Sequence, residues 1–470
     1  MKKPSRLILF AVILPILTVA CESEGTGPSP SPYCPWSWVS GSASANEAGT
    51  YGTRGIPAPS NVPGAREAAS TWADPQGKLW LFGGYGHDST GYRAFLNDLW
   101  KFDPATPAWT WVSGSSAADQ GGFYGIKGIP SWSNVPGARK RAVSWTDPQG
   151  KLWLFGGYGH DSTGRVSWLN DLWKFDPETI EWAWVSGSNA ADQGGFYGIK
   201  GVPHPANVPG ARESPSCWID VSGKLWLLGG FGWLSVDTMG YLNDLWSFDP
   251  QFSVWTWVAG PASVNQPGTY GAQGVASSAN TPGARSGAVF WMDAEGTFWL
   301  FGGFGVDSLG NSAYLNDLWK HAPSTLEWTW ISGSDTINQE GVYGTQGLPG
   351  YSNVPGARVG SVSWIDPAGK PWIFGGYGLD SAGNIDILND LWSYDPTLQR
   401  WVWMSGSNSV NQLGIYGTQG TDDPSNVPGA RQEAVSWIDP GGKLWLFGGN
   451  GLDASDRRAW LNDLWRYTRK

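Results

Sequence analysis

Six arginines recur at a constant interval of 73 residues, and each closes a PGAR motif. They are Arg66, Arg139, Arg212, Arg285, Arg358 and Arg431. A guanidinium group presents several N–H donors in one plane and can hold a carboxylate or a phosphate with two hydrogen bonds. Six such groups at one end of a ring of repeats would therefore form an anion-binding site.

Six aspartates follow these arginines with the same interval, each within an LND motif. They are Asp98, Asp171, Asp244, Asp317, Asp390 and Asp463. Arginine–aspartate pairs that hold the repeats together are the alternative to anion binding. The sequence leaves both interpretations open.

The two positions after each arginine vary in charge. Carboxylates occur at Glu67, Glu213 and Glu433, whereas Lys140 and Arg141 supply positive charge. A few polar departures from a symmetric ring indicate one unique ligand-binding site, which we expect to include these residues.

Aspartates in the motifs DSTG and DSLG, at Asp88, Asp161 and Asp307, are only weak candidates for calcium ligands. Calcium requires several oxygen ligands at close spacing. An Asp-Ser-x-Gly turn accounts for these residues, and Leu234 replaces the aspartate in the third repeat. The sequence therefore predicts neither a metal site nor a cofactor.

The chain contains 34 tryptophans, five per repeat in predicted strands, which favours packing between repeats. Four others lie in predicted long loops: Trp132, Trp168, Trp233 and Trp460. Exposed indoles there can stack on sugar rings or anchor a protein partner. Alternatively, Trp168 and Trp460 only fill a repeat position that other repeats give to Phe95, Tyr241 and Tyr314.

The elements that must position these residues form six repeats, marked by glycine pairs 73 residues apart. In residues 139–185 four short strand-like runs alternate with Pro-containing turns, which favours an antiparallel meander. The run KLWLFGG is apolar on both faces, so each sheet must lie between two others. Radial stacking of such sheets predicts an all-β, six-bladed β-propeller.

The first and last segments of the propeller complement each other. WSWVSGS, from residue 36, resembles the end of a repeat, whereas the last repeat stops at LNDLWRYTRK without a fourth strand. We therefore predict that residues 36–39 complete the sixth blade, so that residues 36–470 form a closed ring.

Alternating strand direction places two sets of connections on one face of the ring, which we call the long-loop face. These are the loops between the second and third strands and the connections between blades. Binding sites commonly lie on such loops. The PGAR arginines are expected at the start of the innermost strand, close to the mouth of the central channel on this face.

The motifs LWLFGG, LNDLWKFDP and WTW resemble the Kelch repeat, and the resemblance extends over residues 36–470. It implies a Kelch-type propeller with four antiparallel strands per blade. Kelch units have about 50 residues, and the additional residues here lie mainly between WVSGS and PGAR. This difference makes known Kelch ligand sites poor templates.

Residues 1–21 resemble a secretory signal, with basic residues before an apolar run at 7–20. The motif LTVAC resembles a bacterial lipobox that would lipidate Cys21, although ordinary cleavage after Ala20 also fits. Residues 22–35 are rich in Ser, Pro and Gly and suit a tether. We expect an exported protein, lipid-anchored at the outer membrane or cell surface, or otherwise periplasmic or secreted.

A net charge of −10, with scattered lysines and arginines, argues against a nucleic-acid partner. Three cysteines exclude a disulfide framework, and Cys217 fits a small buried thiol. The sequence thus favours a non-enzymatic module that binds a glycan or an envelope protein through the long-loop face.

Resemblance to two enzymatic relatives of the Kelch type implies alternative functions. The six-bladed sialic acid mutarotases imply a carboxylate and an arginine near the channel, which Glu67, Glu213 or Glu433 could supply. The copper site of galactose oxidase implies two histidines, a tyrosine and a tyrosine–cysteine crosslink. This chain has four histidines, of which only His87 and His160 share a repeat position, so copper chemistry is not supported.

Overall fold

The computed structural model describes residues 36–293, 295–322 and 324–468, and within them it consists of 31 β-strands in six sheets. The sheets follow one another around a central channel, so the predicted six-bladed propeller is confirmed. None of the described residues belongs to a helix that could cross a membrane. The predicted signal and tether, residues 1–35, lie outside the described residues.

The first three blades have the same five segments. Blade one contains β2 (Arg66–Glu67), β3 (Ser70–Ala73), β4 (Leu79–His87), β5 (Arg93–Asp103) and β6 (Ala108–Ser113). Blade two contains β7 (Arg139–Lys140), β8 (Val143–Thr146), β9 (Leu152–His160), β10 (Val166–Asp176) and β11 (Glu181–Ser186). Blade three contains β12 (Arg212–Glu213), β13 (Ser216–Ile219), β14 (Leu225–Ser235), β15 (Thr238–Asp249) and β16 (Val254–Ala259).

The remaining blades repeat this order. Blade four contains β17 (Arg285–Ser286), β18 (Val289–Met292), β19 (Phe298–Val306), β20 (Ser312–Ala322) and β21 (Glu327–Ser332). Blade five contains β22 (Arg358–Val359), β23 (Val362–Ile365), β24 (Pro371–Leu379), β25 (Ile385–Asp395) and β26 (Arg400–Ser405). Blade six contains β28 (Arg431–Gln432), β29 (Val435–Ile438), β30 (Leu444–Leu452), β31 (Arg458–Tyr467), β1 (Trp36–Ser40) and the short β27 (Asp422–Asp423).

Each blade is an antiparallel meander of four strands whose innermost strand is split in two. In blade one, β2 and β3 both pair with β4, then β4 pairs with β5 and β5 with β6. Innermost strands of successive blades contact one another around the whole ring. The innermost strands therefore surround the channel, and the fourth strands form the perimeter.

The two-faced pattern of the second strand explains the stacking of the blades. Leu79 and Leu81 of β4 pack into a cluster with residues of blade six, whereas Trp80 and Phe82 pack against aromatic residues of blade two. Ring centroids of Phe82 and Trp182 lie 5.5 Å apart. Burying one such side chain stabilises the fold by about 1.5–3 kcal/mol, and the pattern recurs in every blade.

The predicted ring closure is confirmed. Strand β1 pairs antiparallel with β31 and occupies the position of a fourth strand, with Trp36 opposite Tyr467 and Trp38 opposite Trp465. The side chain of Trp36 is buried and packs against Phe374 of blade five. The N-terminal strand thus joins both ends of the chain in one sheet, and no blade lacks its outer strand.

The connections between blades lie differently from the prediction. We expected residues 114–138 on the long-loop face, but part of this segment runs along the perimeter of blade two. Gly128 donates its N–H to the carbonyl of Trp184, and Ser131 forms a β-bridge with Trp182. These contacts cover the exposed edge of the fourth strand, which accounts for the length of the repeat.

The strands at the long-loop face are also longer than predicted. The segment YGHDSTGRVSWL, expected to be a long loop, lies mostly in β9 and β10, with a five-residue turn at 161–165. Trp168, Trp233 and Trp460 consequently belong to strands β10, β14 and β31. The hairpin turns are shorter than expected, so the strands on either side of them include these tryptophans.

Candidate functional site

The six PGAR arginines are buried and paired with the LND aspartates. Nη1 and Nη2 of Arg66 lie 2.6 and 2.7 Å from the two carboxylate oxygens of Asp98, and Nε donates to the carbonyl of Gly64. The other five pairs repeat this geometry, and no arginine is more than 4% exposed. Both members of a pair belong to one blade, so the expectation that the pairs join blades is wrong.

A tyrosine and a tryptophan complete each pair. The hydroxyl of Tyr51 donates to Asp98 at 2.6 Å, and the indole N–H of Trp100 donates to the same oxygen at 2.7 Å. Burial, together with the charge of Asp98, raises the pKa of Tyr51 well above its usual value. The arginine donors are thus occupied, and the arrangement braces the blade instead of offering an anion site.

These tyrosines were not among the residues predicted from the sequence, although they recur with the same period. They are Tyr51, Tyr124, Tyr197, Tyr270, Tyr343 and Tyr416. Each lies in a connection between blades and reaches the pair of the following blade. The signal was the repeated dipeptide YG, which only the structure links to the buried aspartates.

The channel is constricted by a closed ring of hydrogen bonds between backbones of adjacent blades. Its members are Ala68, Arg141, Ser214, Gly287, Gly360 and Glu433, each donating its N–H to the carbonyl of the previous blade at 2.7–3.2 Å. All six have φ between 49° and 66°. This ring of hydrogen bonds ties the six innermost strands together and narrows the channel at this level.

A second set of contacts joins the innermost strands. The hydroxyl of Ser144 donates to the carbonyl of Thr71, and the thiol of Cys217 takes the same place toward Ser144. Cys217 is buried, and burial raises its pKa to about 12. The thiol therefore behaves as a small, unreactive core residue, as the sequence indicated.

Five charged residues cluster at the channel mouth on the long-loop face, and we call them the charged cluster: Glu67, Lys140, Arg141, Glu213 and Glu433. Nε of Arg141 lies 3.0 Å from Oε2 of Glu433, and Nη1 lies 3.4 Å from Oε2 of Glu213. Glu213 and Glu433 come from blades three and six, which face each other across the ring. The guanidinium group of Arg141 therefore lies near the channel axis.

The two neighbouring carboxyl groups differ in their pKa shifts. Burial disfavours ionisation of Glu433, but the charge and hydrogen bonds of Arg141 outweigh burial and lower its pKa. Burial and the negative charge of Glu433 raise the pKa of Glu67. The charge of Glu433 is also the main reason why the pKa of Arg141 is raised. Glu433 is thus ionised more readily than an ordinary glutamate, whereas Glu67 binds a proton more readily.

Blades four and five give the mouth an uncharged half. The positions that correspond to the charged cluster hold Ser286, Gly287, Val359 and Gly360 there. Because two of these residues are glycines and none carries a charge, this half presents backbone and small side chains. The mouth is therefore charged on one side and weakly polar on the other.

Ten aromatic rings surround the charged cluster, and we call them the aromatic collar. Its members are Trp460, Tyr85, Phe95, Tyr158, Trp168, Phe231, Tyr241, Phe304, Tyr314 and Tyr377. Successive centroids lie 5.0–5.9 Å apart. All ten residues are half-buried, so part of each remains accessible.

The collar is interrupted once, between blades five and six. Ile387 and Asn450 take the positions that aromatic rings hold in other blades. In blade one the register places Glu67 opposite Tyr85 and Tyr85 opposite Phe95. The cluster and the collar therefore lie at the same level, with the charges nearest the axis.

The four tryptophans singled out from the sequence do not come together. Trp168 and Trp460 belong to the collar, and Nε1 of Trp168 lies 3.4 Å from Oε1 of Glu213. Trp233 donates its indole N–H to Asp192 and takes the place that His87 and His160 hold in their blades. Trp132 lies in a connection on the perimeter and is 85% exposed.

The residues considered for metal binding are used by the fold. The carboxylate of Asp88 accepts hydrogen bonds from the backbone N–H groups of Thr90, Tyr92 and Ala118, and Asp161 repeats this pattern. This is the turn that the sequence suggested. Within residues 36–293, 295–322 and 324–468 no three His, Cys, Asp or Glu residues are grouped as metal ligands.

The channel mouth combines buried carboxylates, two cations and a collar of aromatic rings on a rigid ring of blades. A family model described as the KLHDC2/KLHL20/DRC7 Kelch-repeats domain matches residues 50–270, the first three blades. The motifs of this region recur without net insertion through blades four to six. The chain is therefore a Kelch-repeat β-propeller protein.

Proposed function

We propose that this propeller is a carbohydrate-binding module, with its site at the channel mouth on the long-loop face. Kelch propellers typically serve as interaction modules, so a binding role is the natural starting point. The observation that carries the proposal is the aromatic collar around a cluster of fixed carboxylates. Sugars offer apolar C–H faces to aromatic rings and hydroxyl groups to carboxylates.

The uncharged half of the mouth supports this assignment. Phe304, Tyr314 and Tyr377 lie beside the glycine positions of blades four and five, where a pyranose ring can approach the aromatic edges. Glu67, Glu213 and Glu433 accept hydrogen bonds on the opposite side. Because the hydrogen-bonded ring fixes the backbone beneath these residues, little conformational entropy is lost on binding.

Trp460 has less of its ring face available to a sugar than Trp168. The guanidinium group of Arg93 lies 4.4 Å from the ring centroid of Trp460 and covers part of its face. No cation lies over Trp168 among the described residues. We therefore expect Trp168 to contribute more to sugar binding than Trp460.

The decisive experiment is glycan-array binding of residues 22–470, a chain that retains every strand of the closed ring. Trp168→Ala and Tyr241→Ala remove collar rings, and Trp132→Ala removes an equally large side chain far from the mouth. Binding that the collar variants lose and Trp132→Ala retains supports the proposal, provided that the melting temperatures agree. Binding that only Trp132→Ala loses would move the sugar site to the perimeter, and no binding by the wild-type chain would favour a protein partner.

A second function is favoured by the unequal carboxyl groups. Glu67, with its raised pKa, can donate a proton while ionised Glu433 accepts one, as acid–base chemistry at an anomeric carbon requires. A sugar mutarotase activity is therefore the alternative proposal. Exchange of anomers followed by proton NMR tests it, because a pure binding module leaves the uncatalysed rate unchanged.

The location of the protein is a separate proposal, which rests on residues 1–35. We propose export, with lipidation at Cys21 anchoring the propeller to a membrane through the tether. Labelled palmitate should enter the wild-type chain in a bacterial host but not Cys21→Ser. A wild-type chain that takes up no label would refute the lipobox assignment and leave ordinary cleavage after Ala20.

A further inference from the structure

The Arg141 guanidinium group is already neutralised by acidic side chains. Glu433 holds its Nε and Nη2 edge, at 3.0 and 2.5 Å, and Glu213 lies 3.4 Å from Nη1. An anionic ligand must therefore displace a carboxylate before it can pair with Arg141. Since these acidic groups are themselves nearly buried, displacement leaves a buried negative charge without compensation.

Lys140, the other cation of the charged cluster, shows that this part of the mouth can hold an ammonium group. Nζ of Lys140 lies 3.7 Å from Oε1 of Glu67 and 5.2 Å from the ring centroid of Tyr85. An ammonium group is thus held between a carboxylate and an aromatic face, the usual environment for binding a cationic ligand. The chain's own lysine occupies this place in the structure.

Glu67 is the least compensated carboxylate of the cluster. Its side chain is 12% exposed, and its ion pair with Lys140 exceeds hydrogen-bonding distance. Burial and the charge of Glu433 raise its pKa, so its charged form is costly as the structure stands. The charges of Lys140 and Arg141 and the indole N–H of Trp460 oppose this rise in the pKa of Glu67 but do not outweigh it.

The net charge of the charged cluster also favours a cationic ligand. The cluster has three carboxylates and two cations, and the whole chain carries a net charge of −10. The mouth therefore attracts cations and repels anions over distances of about a Debye length. An ammonium group next to Glu67 improves this balance, whereas a ligand carboxylate worsens it.

We propose that the mouth selects a sugar with a protonated amine, bound by Glu67 where the Lys140 ammonium now lies, and that it discriminates against acidic sugars. This inference rests on the proposed function, because it specifies the ligand class of the same site. The amine pairs with the Glu67 carboxylate, and the sugar ring lies against the collar.

Three soluble trisaccharides test the inference by calorimetry near neutral pH. Chitosan trimer carries free amines, chitotriose is its neutral N-acetylated counterpart, and trigalacturonic acid is acidic. We expect chitosan trimer to bind about tenfold more tightly than chitotriose, the effect of one charge-assisted hydrogen bond. Trigalacturonic acid should show no measurable heat of binding.

Two variants with opposite expected effects exclude a merely structural role. Glu67→Gln should abolish the preference for chitosan trimer, and Lys140→Gln should strengthen chitosan binding several-fold because the internal competitor is gone. Both introduce the glutamine that blade six carries at this position as Gln432. Lys140→Gln should change the affinity for chitotriose by no more than about twofold, and Glu67→Gln should lower this affinity by less than it lowers the affinity for chitosan trimer.

The outcomes separate this inference from the proposed function. Equal affinities for chitosan trimer and chitotriose, or tighter binding of trigalacturonic acid, overturn the amine preference while carbohydrate binding stands. A loss of chitosan affinity in Lys140→Gln also contradicts the inference, since it would make Lys140 a direct ligand. No binding of any sugar, here and on the array, overturns both proposals.

Discussion

The hydroxyl of Tyr124 lies 2.6 Å from Oδ2 of Asp171, although 47 residues separate the two along the chain. The tyrosine comes from the connection that covers the perimeter of blade two, and the aspartate is the partner of buried Arg139. One hydrogen bond therefore fastens the longest irregular segment of the repeat to the charged centre of the blade.

Removal of that hydroxyl should destabilise the protein measurably. Tyr124→Phe leaves Asp171 without one of its donors in a buried site, which we expect to lower the free energy of unfolding by about 1.5–3 kcal/mol. Chemical denaturation gives this value. Tyr92→Phe is the matched control, because Tyr92 is 60% exposed, and its effect should be near zero.

The Arg–Asp pairs should prove structural and not ligand-binding. Arg285→Met leaves Asp317 buried and unpaired, which costs about 3–5 kcal/mol of folding stability. Thermal unfolding checks the expected loss. A variant with wild-type stability but without ligand binding would instead restore the anion-ring interpretation.

The N-terminal strand should be essential for the closed ring. Deletion of residues 36–42 removes the fourth strand of blade six and exposes the edge of β31, so the melting temperature should fall sharply. Deletion of an equal length from residues 22–35 serves as the control and should leave it unchanged. Equal melting temperatures for both deletions would contradict closure by β1.

His321 should make the protein less stable in mild acid. It is 1% exposed, neither ring nitrogen has a hydrogen-bond partner among the described residues, and burial lowers its pKa to about 4. Between about pH 6.5 and 4 the unfolded chain binds a proton that the folded chain does not. Stability from this group is therefore fully present above pH 6.5 and falls by about 3 kcal/mol toward pH 4.

His321→Phe isolates this effect from the titration of other groups. Phe102 and Phe175 occupy the equivalent position in blades one and two, so the substitution suits the site. Denaturation between pH 4 and 7 should show a smaller loss of stability in the variant than in the wild type. Parallel pH profiles would mean that His321 keeps an ordinary pKa in the fold.

The blades were predictable because their signals are local and repeated. A strand such as β4, apolar on both faces, can only lie between two other sheets, and the period supplied six of them. Closure was predictable too, since Trp36 begins a fourth strand and the last repeat lacks one. These inferences needed only the pattern of apolar residues along each strand, the turn residues and the number of repeats.

The path of the connections was not predictable in this way. Residues 114–138 are rich in glycine and have no regular alternation, so nothing in the sequence indicated that Gly128 and Ser131 bond to the outer strand. The strands that contain Trp168 and Trp233 were likewise predicted to be loops. In both cases backbone hydrogen bonding, which leaves little mark on side-chain pattern, decided the structure.

The sequence by itself determined the number of blades, their stacking, the closing strand and the variable positions after each arginine. Only the tertiary structure decided which of those positions meet. Arg141 and Glu433 are 292 residues apart and pair at the channel axis because ring closure brings blades two and six to either side of blade one. The repeat shows which positions are equivalent in the six blades. Which of the residues that differ between blades contact one another depends on the closed ring.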